Sequence, residues 1–204
     1  MRTIVHLTAS DARRMPWKNG RGVTEELACW PVESTFERGD FDWRVSKAHV
    51  DAAGAFSSFP GFERILVVTR GAGLMLRHGD GAPRVRLRPL EPYAFAGELA
   101  TAAELVDGSI ADFNVFARRG VVEASVEVLQ LGIRRARDGI GAGHALTHVL
   151  AGSATARVTN EEDAFELECG DSLWGRELRD ADELELAGRT RDCCVILVRI
   201  ARAR

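Results

Sequence analysis

The chain has 204 residues, of which 46% are hydrophobic and 28% charged, and its formal net charge is −3 at pH 7. This composition is typical of a globular protein with a sizeable core, and the slight acidity argues against a nucleic-acid partner, which would require a basic surface. No apolar run is long enough to cross a bilayer, and no secretion signal opens the chain, so a cytoplasmic protein is expected. The four cysteines lack a C-x-x-C spacing, so neither a zinc knuckle nor a disulfide framework is predicted.

The sequence pattern of the amino-terminal quarter predicts one helical turn and two strands. Ser10 and Asp11 are typical capping residues for a short helical turn over residues 12–15. An Asn-Gly turn follows. Polar and apolar residues then alternate over residues 23–30 and, more clearly, over residues 41–50, which is the pattern of half-buried strands.

From residue 65 onward, short strands recur between Gly, Asp and Pro turns, and no long helical period competes with them. The predicted strands cover residues 65–69, 74–77, 85–87, 93–95, 104–106, 113–116, 121–129, 148–150, 154–159, 164–167, 172–174, 183–186 and 194–200. The predicted fold class is therefore all-β, a sandwich or a barrel.

Two segments of the first half have counterparts in the second half. Residues 65–71 are similar to residues 147–152, and residues 87–93 are similar to residues 167–173, at nearly the same offset. A repeated offset of this kind predicts an internal duplication of one β unit.

Five short motifs in the first half carry a family resemblance. In chain order they are Trp17-Lys18-Asn19-Gly20, Thr24-x-Glu26-Leu27, Phe41-x-Trp43-Arg44-Val45-Ser46, Gly54-x-Phe56-Ser57-x-Phe59-Pro60-Gly61-x-x-Arg64 and Asp112-Phe113-Asn114. Together they resemble the HutD/Ves family, whose members resemble metal-free bicupins with two small antiparallel, jelly-roll-like barrels. The resemblance implies an N-terminal cupin barrel over residues 1–120 and a C-terminal one over residues 121–204. The chain departs from the family at Arg21, where a further glycine is usual.

The resemblance also implies a function. The family's namesake is associated with bacterial histidine utilisation, so we expect a small-molecule-binding protein, regulatory in that pathway, that takes a small carboxylate or acyl-amino acid such as N-formylglutamate. The alternative is a metal-independent cupin enzyme, an isomerase or hydrolase acting on a small acid, with Glu26, His49 and Asp112 as candidate acid–base groups. A third possibility is an interaction protein in which the motifs only hold a barrel together. The expected partner is a small anionic ligand, with no cofactor and no membrane, and homodimer formation stays open.

Metal-binding cupins have a different motif from this chain. It places two histidines and a glutamate before a turn and a last histidine beyond that turn. Alignment to that pattern places Ser58, Pro60, Arg64 and Gly97 at the four ligand positions. Proline, glycine and arginine side chains cannot ligate a divalent ion, and a lone serine is a poor ligand. No metal is therefore expected.

Arg64 instead places a permanent cation with planar donors at the cavity, suited to an anionic group. Arg44 and Ser46 share one strand face, and an inward face would carry both into the same space. An arginine buried without an anion is unfavourable, so a ligand or a protein carboxylate must pair with it. The alternative for Arg64 is a rim salt bridge to a local acid such as Glu63, and for Arg44 an internal pair with Glu26, Asp112 or Glu63.

Other polar and aromatic residues complete the candidate site. Lys18 and Asn19 lie on a turn that can close over the cavity mouth, and Trp17 provides an aromatic wall or packs into the core. The amide of Asn114 suits an acyl-amide ligand, or it satisfies a bulge in its own sheet. The candidate ligand-binding residues are Trp17, Lys18, Asn19, Thr24, Glu26, Arg44, Ser46, Ser58, Arg64 and Asn114. No catalytic residue is assigned.

Overall fold

The computed structural model describes residues 1–17, 22–159 and 161–204. Within them the secondary structure consists of strands and one 3-10 turn at Ala9–Asp11, which confirms the all-β class. The strands are β1 (Thr3–Leu7), β2 (Arg13–Pro16), β3 (Gly22–Trp30), β4 (Trp43–Val50), β5 (Gly54–Ala55), β6 (Phe62–Arg70), β7 (Leu74–His78), β8 (Arg84–Leu87), β9 (Tyr93–Ala96), β10 (Thr101–Leu105), β11 (Ile110–Arg118), β12 (Val122–Gln130), β13 (Arg135–Gly139), β14 (Gly143–Ala151), β15 (Ala154–Val158), β16 (Phe165–Leu167), β17 (Ser172–Leu178), β18 (Glu183–Gly188) and β19 (Cys194–Arg202). In the described ranges, no helix has the length and apolar character needed to span a bilayer.

The N unit, Arg13–Val122, contains the sequence motifs. It consists of a six-stranded sheet in the order β2-β3-β4-β11-β6-β9 and a four-stranded sheet in the order β5-β10-β7-β8. Leu66 and Val68 of the larger sheet share one buried cluster with Leu76 and Ala103 of the smaller sheet. The two sheets therefore pack face to face, and the strand face that carries Leu66 is turned toward the core between them.

The C unit combines Met1–Ala12 with Glu123–Arg204. Its sheets have the orders β1-β17-β14-β19-β12 and β13-β18-β15-β16. The four-stranded order repeats that of the N unit strand for strand, and the run β17-β14-β19-β12 repeats β9-β6-β11-β4. Ala145 lies seven residues before Gly152, as Arg64 lies seven before Gly71, and it is 5% exposed in an apolar cluster. The C unit therefore has a hydrophobic residue at the position of the buried cation.

The first twelve residues belong to the C unit, whereas the sequence analysis assigned them to the N-terminal barrel. Strand β1 pairs along its whole length with β17, from Thr3 opposite Arg176 to Leu7 opposite Ser172. The guanidinium of Arg2 also donates to the carboxylate of Asp182. These contacts place the amino terminus in the C unit.

The helical turn predicted over residues 12–15 is wrong. The backbone N–H and hydroxyl of Thr8 donate to the carboxylate of Asp11, which closes the 3-10 turn earlier in the chain. Residues from Arg13 onward pair with β3 instead, so sheet formation overrides the local capping signal. Strand β13 was not predicted, because it is polar, mostly exposed and without apolar alternation.

Candidate functional site

The central strands of the larger N-unit sheet bring the candidate residues onto one face. In the strand registers, Phe116 of β11 lies between Arg44 of β4 and Arg64 of β6. Asn114 and Asp112 follow at two-residue steps, and residues two apart in a strand point to the same side. Leu66, beside Asn114 in the register, belongs to the core, so this row of polar groups points into the unit.

Arg64 is 6% exposed and forms the start of a hydrogen-bonded chain. Its Nη2 donates to Oδ1 of Asn114 at 3.0 Å, and Nδ2 of Asn114 donates to Oδ1 of Asp112 at 2.6 Å. Each amide atom of Asn114 keeps one further hydrogen-bonding position. The Nε of Arg64 is buried without a hydrogen-bond partner among the described residues.

Aromatic rings surround the guanidinium of Arg64. Its Cζ lies 4.9 Å from the ring centre of Phe56, 5.1 Å from that of Phe95 and 4.6 Å from that of Phe116. Such contacts are favourable for a cation, but they provide no hydrogen-bond acceptor for its N–H groups. Among the described residues, the Nε of Arg64 is therefore buried beside aromatic rings without an acceptor.

Burial shifts the pKa values of both charged ends of this chain. Burial lowers the pKa of Arg64 to about 10, while the Asp112 carboxylate acts in the opposite direction. Burial raises the pKa of Asp112 to about 7, although Arg64 and the hydrogen bond from Asn114 oppose the shift. The guanidinium is therefore charged at neutral pH, whereas Asp112 titrates there.

Asp112→Asn is expected to flatten the pH dependence of stability. Folding raises the pKa of Asp112 from 3.8 to about 7, so the folded protein holds this proton more tightly than the unfolded chain. The resulting stabilisation is complete below about pH 4 and is lost as the pH rises to about 7, with a slope of at most about 1.4 kcal/mol per pH unit. Urea unfolding of both proteins across this range measures the effect, with exposed Asp107→Asn as the control. Parallel stability curves for Asp112→Asn and the wild type would contradict the prediction.

Arg44 is 2% exposed and has a direct protein counter-ion. Its Nε donates to Oε2 of Glu26 at 2.5 Å, and its Nη1 donates to Oγ of Ser46 at 3.1 Å. A register shift between Glu26 and Ala28, where β3 pairs with β4, interrupts the ladder beside this pair, and bulges commonly re-aim side chains. The internal ion pair considered for Arg44 is therefore the observed arrangement, although its Nη2 is buried without a partner in the described part of the chain.

The remaining candidates occupy different places. The indole Nε1 of Trp17 donates to Oγ1 of Thr24 at 2.8 Å, and the ring packs against the N-unit core. Ser58 is exposed, whereas Arg64 is buried. Lys18 and Asn19 lie outside the described residues.

Sequence reasoning missed the aromatic residues of the site. Phe116 could have been predicted from the alternation of β11, because it follows Asn114 by two residues in that strand and so lies on the same face. Phe36, whose ring centre lies 4.5 Å from Cζ of Arg44, lies outside any strand and carries no periodic signal. The contacts of Phe56 and Phe95 with Arg64 depend on the pairing of β6 with β9 and on the packing of the two sheets, which the local sequence does not indicate.

The donor set does not fit the metal of metal-binding cupins. Arg64 stands at one of the aligned ligand positions, and a guanidinium repels a divalent cation. Ser58 and Pro60, at two others, are exposed. Within the described ranges, no group of three or more His, Cys, Asp or Glu side chains is placed to hold a metal ion.

Comparison with known sequences gives one family match. The HutD family model matches residues 9–195. An uncharacterized 21.2 kDa protein in the hutC 3' region of Pseudomonas putida is 42% identical over 109 residues, covering 53% of this chain and 55% of that protein. Protein Ves from Escherichia fergusonii is 36% identical over 122 residues, covering 58% of this chain and 61% of that protein. The chain thus aligns with little more than half the length of these curated relatives.

Solved structures extend the likeness to the whole chain. HutD from Pseudomonas fluorescens SBW25, in a formate condition, superposes with a TM-score of 0.78 at 30% identity, covering 99% of this chain and 100% of that one. Oxalate decarboxylase from Lactobacillus farciminis, in a formate complex, superposes with a TM-score of 0.67 at 8% identity, covering 95% of this chain and 85% of that one. The second likeness shows a common cupin-like fold alone.

Proposed function

The chain belongs to the HutD family, and from that membership we propose that it is a small-molecule-binding protein whose N unit takes the carboxylate of a small acid at Arg64. The observation that carries the proposal is the buried Nε of Arg64, which has no acceptor among the described residues. A buried donor left without a partner costs about 1–3 kcal/mol, and more when the group is charged. A ligand carboxylate removes that cost.

The distribution of charge within the N unit favours Arg64 over Arg44 as the anchor. Arg44 contacts the carboxylate of Glu26 directly, at 2.5 Å. Arg64 reaches the carboxylate of Asp112 only through the amide of Asn114. Among the described residues, Arg64 thus has no carboxylate in direct contact, which is suited to a ligand that presents one carboxylate to this site.

The relatives support a proposal for the ligand and the biological role. We assign the chain a regulatory role in histidine utilisation, with N-formylglutamate or another small acid of that pathway as its ligand. The P. putida relative lies in a hutC 3' region, and the P. fluorescens HutD structure was obtained in a formate condition. Formate and a formyl-amino acid both contain the carboxylate that Arg64 is suited to bind.

Two jelly-roll-like barrels, the bicupin architecture, are the proposed framework for this site. The repeated strand orders of the two units and the cupin-like fold of oxalate decarboxylase support it. The buried Arg64 lies in one unit, and Ala145 takes the matching place in the other. We therefore propose one acid site per chain, in the N unit.

A thermal-shift screen tests the proposed function. The panel contains formate, urocanate, formiminoglutamate, N-formylglutamate, glutamate and histidine, with histamine as the matched ligand that lacks a carboxylate. A ligand at a hundredfold excess over its Kd stabilises the folded state by about 2.7 kcal/mol, so a rise of several degrees in Tm is expected for at least one acid. A Tm unmoved by every acid at millimolar concentration would remove the proposal.

The metal-independent enzyme is a second candidate because Asp112 combines complete burial, a pKa near 7 and an adjacent cation, as catalytic carboxyl groups often do. Glu26 is already paired with Arg44, and His49 is exposed and paired with Asp51. Conversion of a panel acid that is lost in both Arg64→Met and Asp112→Asn would establish this function. Binding without conversion leaves the first one.

A further inference from the structure

Among the described residues, Asp112 is the carboxyl group that a hydrogen-bonded chain connects to Arg64. On the neighbouring strands, Arg44 pairs with Glu26, and Arg64 connects to Asp112 through Asn114. Burial raises the pKa of the Cys29 thiol, which lies beside Arg44 in the register, to about 12, so the thiol stays neutral.

The other titratable groups that face this interior are an imidazole on β7 and a phenol on β9. The ring of His78 hydrogen-bonds to the hydroxyls of Thr101 and Tyr93, at 2.9 and 3.0 Å, and burial lowers its pKa. Since Thr101 donates its own hydrogen to the Leu99 carbonyl, it accepts the N–H of the ring Nδ1, and the lowered pKa favours the neutral imidazole. The carboxylate that acts on the charge of Arg64 is that of Asp112, which opposes the effect of burial on the Arg64 pKa.

The orientation of Asn114 determines where a proton on Asp112 resides. Arg64 can only donate, so Oδ1 of Asn114 faces Arg64 and Nδ2 faces Asp112. Oδ1 of Asp112 accepts that N–H, and the carboxylate also accepts the backbone N–H of Ala48, so a proton carried by Oδ2 leaves the bond from Asn114 in place. Protonation of Asp112 therefore preserves the hydrogen-bonded chain.

We propose that an acid bound at Arg64 is taken up together with one proton, which passes from solvent to Oδ2 of Asp112. This inference rests on the proposed function, because it concerns the same site. A ligand carboxylate beside Arg64 adds a second negative charge near a cation that Asp112 already neutralises in part. In an interior of low dielectric constant, two carboxylates that share one cation are unfavourable, and protonation of one of them relieves the repulsion.

The coupling makes affinity depend on pH in a defined direction. Below about pH 7 Asp112 is already protonated in the free protein, so the acid binds without proton uptake and with its highest affinity. Above that pH each bound acid must bring a proton, and its affinity falls by up to about tenfold per pH unit. Asparagine at this position imitates the protonated acid, so Asp112→Asn is expected to bind with an affinity that changes less than about twofold over the same range.

Isothermal titration calorimetry in buffers of different ionisation enthalpy measures proton uptake directly. Sodium formate and N-formylglutamate are the probes, titrated near pH 6 and pH 8.5 into the full chain, into Asp112→Asn and into Asp107→Asn, an exposed control. We expect uptake approaching one proton per bound acid at the higher pH for the wild type and the control. For Asp112→Asn we expect binding with no uptake.

The outcomes separate this inference from the function on which it rests. Binding to the wild type without proton uptake, or uptake that persists in Asp112→Asn, would overturn the coupling and leave the acid site standing. Failure of both probes to bind the wild type would overturn the acid site and the coupling with it.

Discussion

Arg64→Met is expected to weaken binding of a carboxylate ligand at least about a hundredfold while the protein stays folded. The variant removes the buried guanidinium, and the charge-assisted hydrogen bonds that it would make to a carboxylate are each worth about 1.5–3 kcal/mol. Two such bonds exceed the free-energy difference of a hundredfold change in Kd. Calorimetric titration with N-formylglutamate and formate measures the loss, and Arg70→Met, an exposed arginine of the same strand, serves as the control.

The same variant tests whether Arg64 is kept for binding or for stability. In the free protein the Nε of Arg64 is buried without a partner among the described residues, so replacing it with an apolar side chain removes a desolvation cost. Asp112 loses its cation but becomes neutral by protonation at low pH. We expect a Tm near or above that of the wild type at about pH 6 and a lower one at about pH 8.5. A variant that is unfolded at pH 6, or one that binds acids as the wild type does, would contradict this account.

Arg44→Met, unlike Arg64→Met, is expected to destabilise the protein and to lower the free energy of unfolding by about 3–5 kcal/mol. The substitution leaves the carboxylate of Glu26, whose side chain is 10% exposed, without its counter-ion. An uncompensated buried charge is among the most destabilising single changes. Urea unfolding at neutral pH measures the loss.

A paired substitution separates the broken ion pair from a packing defect. Arg44→Met combined with Glu26→Leu replaces both charges by apolar side chains, and such replacements are often neutral or stabilising. We expect the double variant to recover most of the stability lost in Arg44→Met. A single variant within about 1 kcal/mol of the wild type, or a double variant as unstable as the single one, would show that the pair is not the cause.

The alternation of the sequence was sufficient to predict which site residues share a strand face. Alternation along β4 and β11 put Arg44 with Ser46 and Asp112 with Asn114, because a strand repeats every two residues. The partner of each arginine was not predictable in this way. Arg44 meets Glu26 next to a register shift, and Arg64 meets Asn114 through the pairing of distant strands. Both depend on pairing between strands, which local periodicity does not report.

The pairing of β1 with β17 has a consequence for the order in which the chain acquires its structure during synthesis. The ribosome releases the N terminus first, yet the residue opposite Thr3 in the strand register is Arg176. At about 5–20 residues per second, β1 waits on the order of ten seconds or more with its edges unpaired, while the continuous segment Arg13–Val122 can already fold around Arg64. Nascent chains long enough for Val122 to have left the ribosomal exit tunnel, but stalled before β17 is made, are therefore expected to form the proposed acid site while β1 is still unpaired.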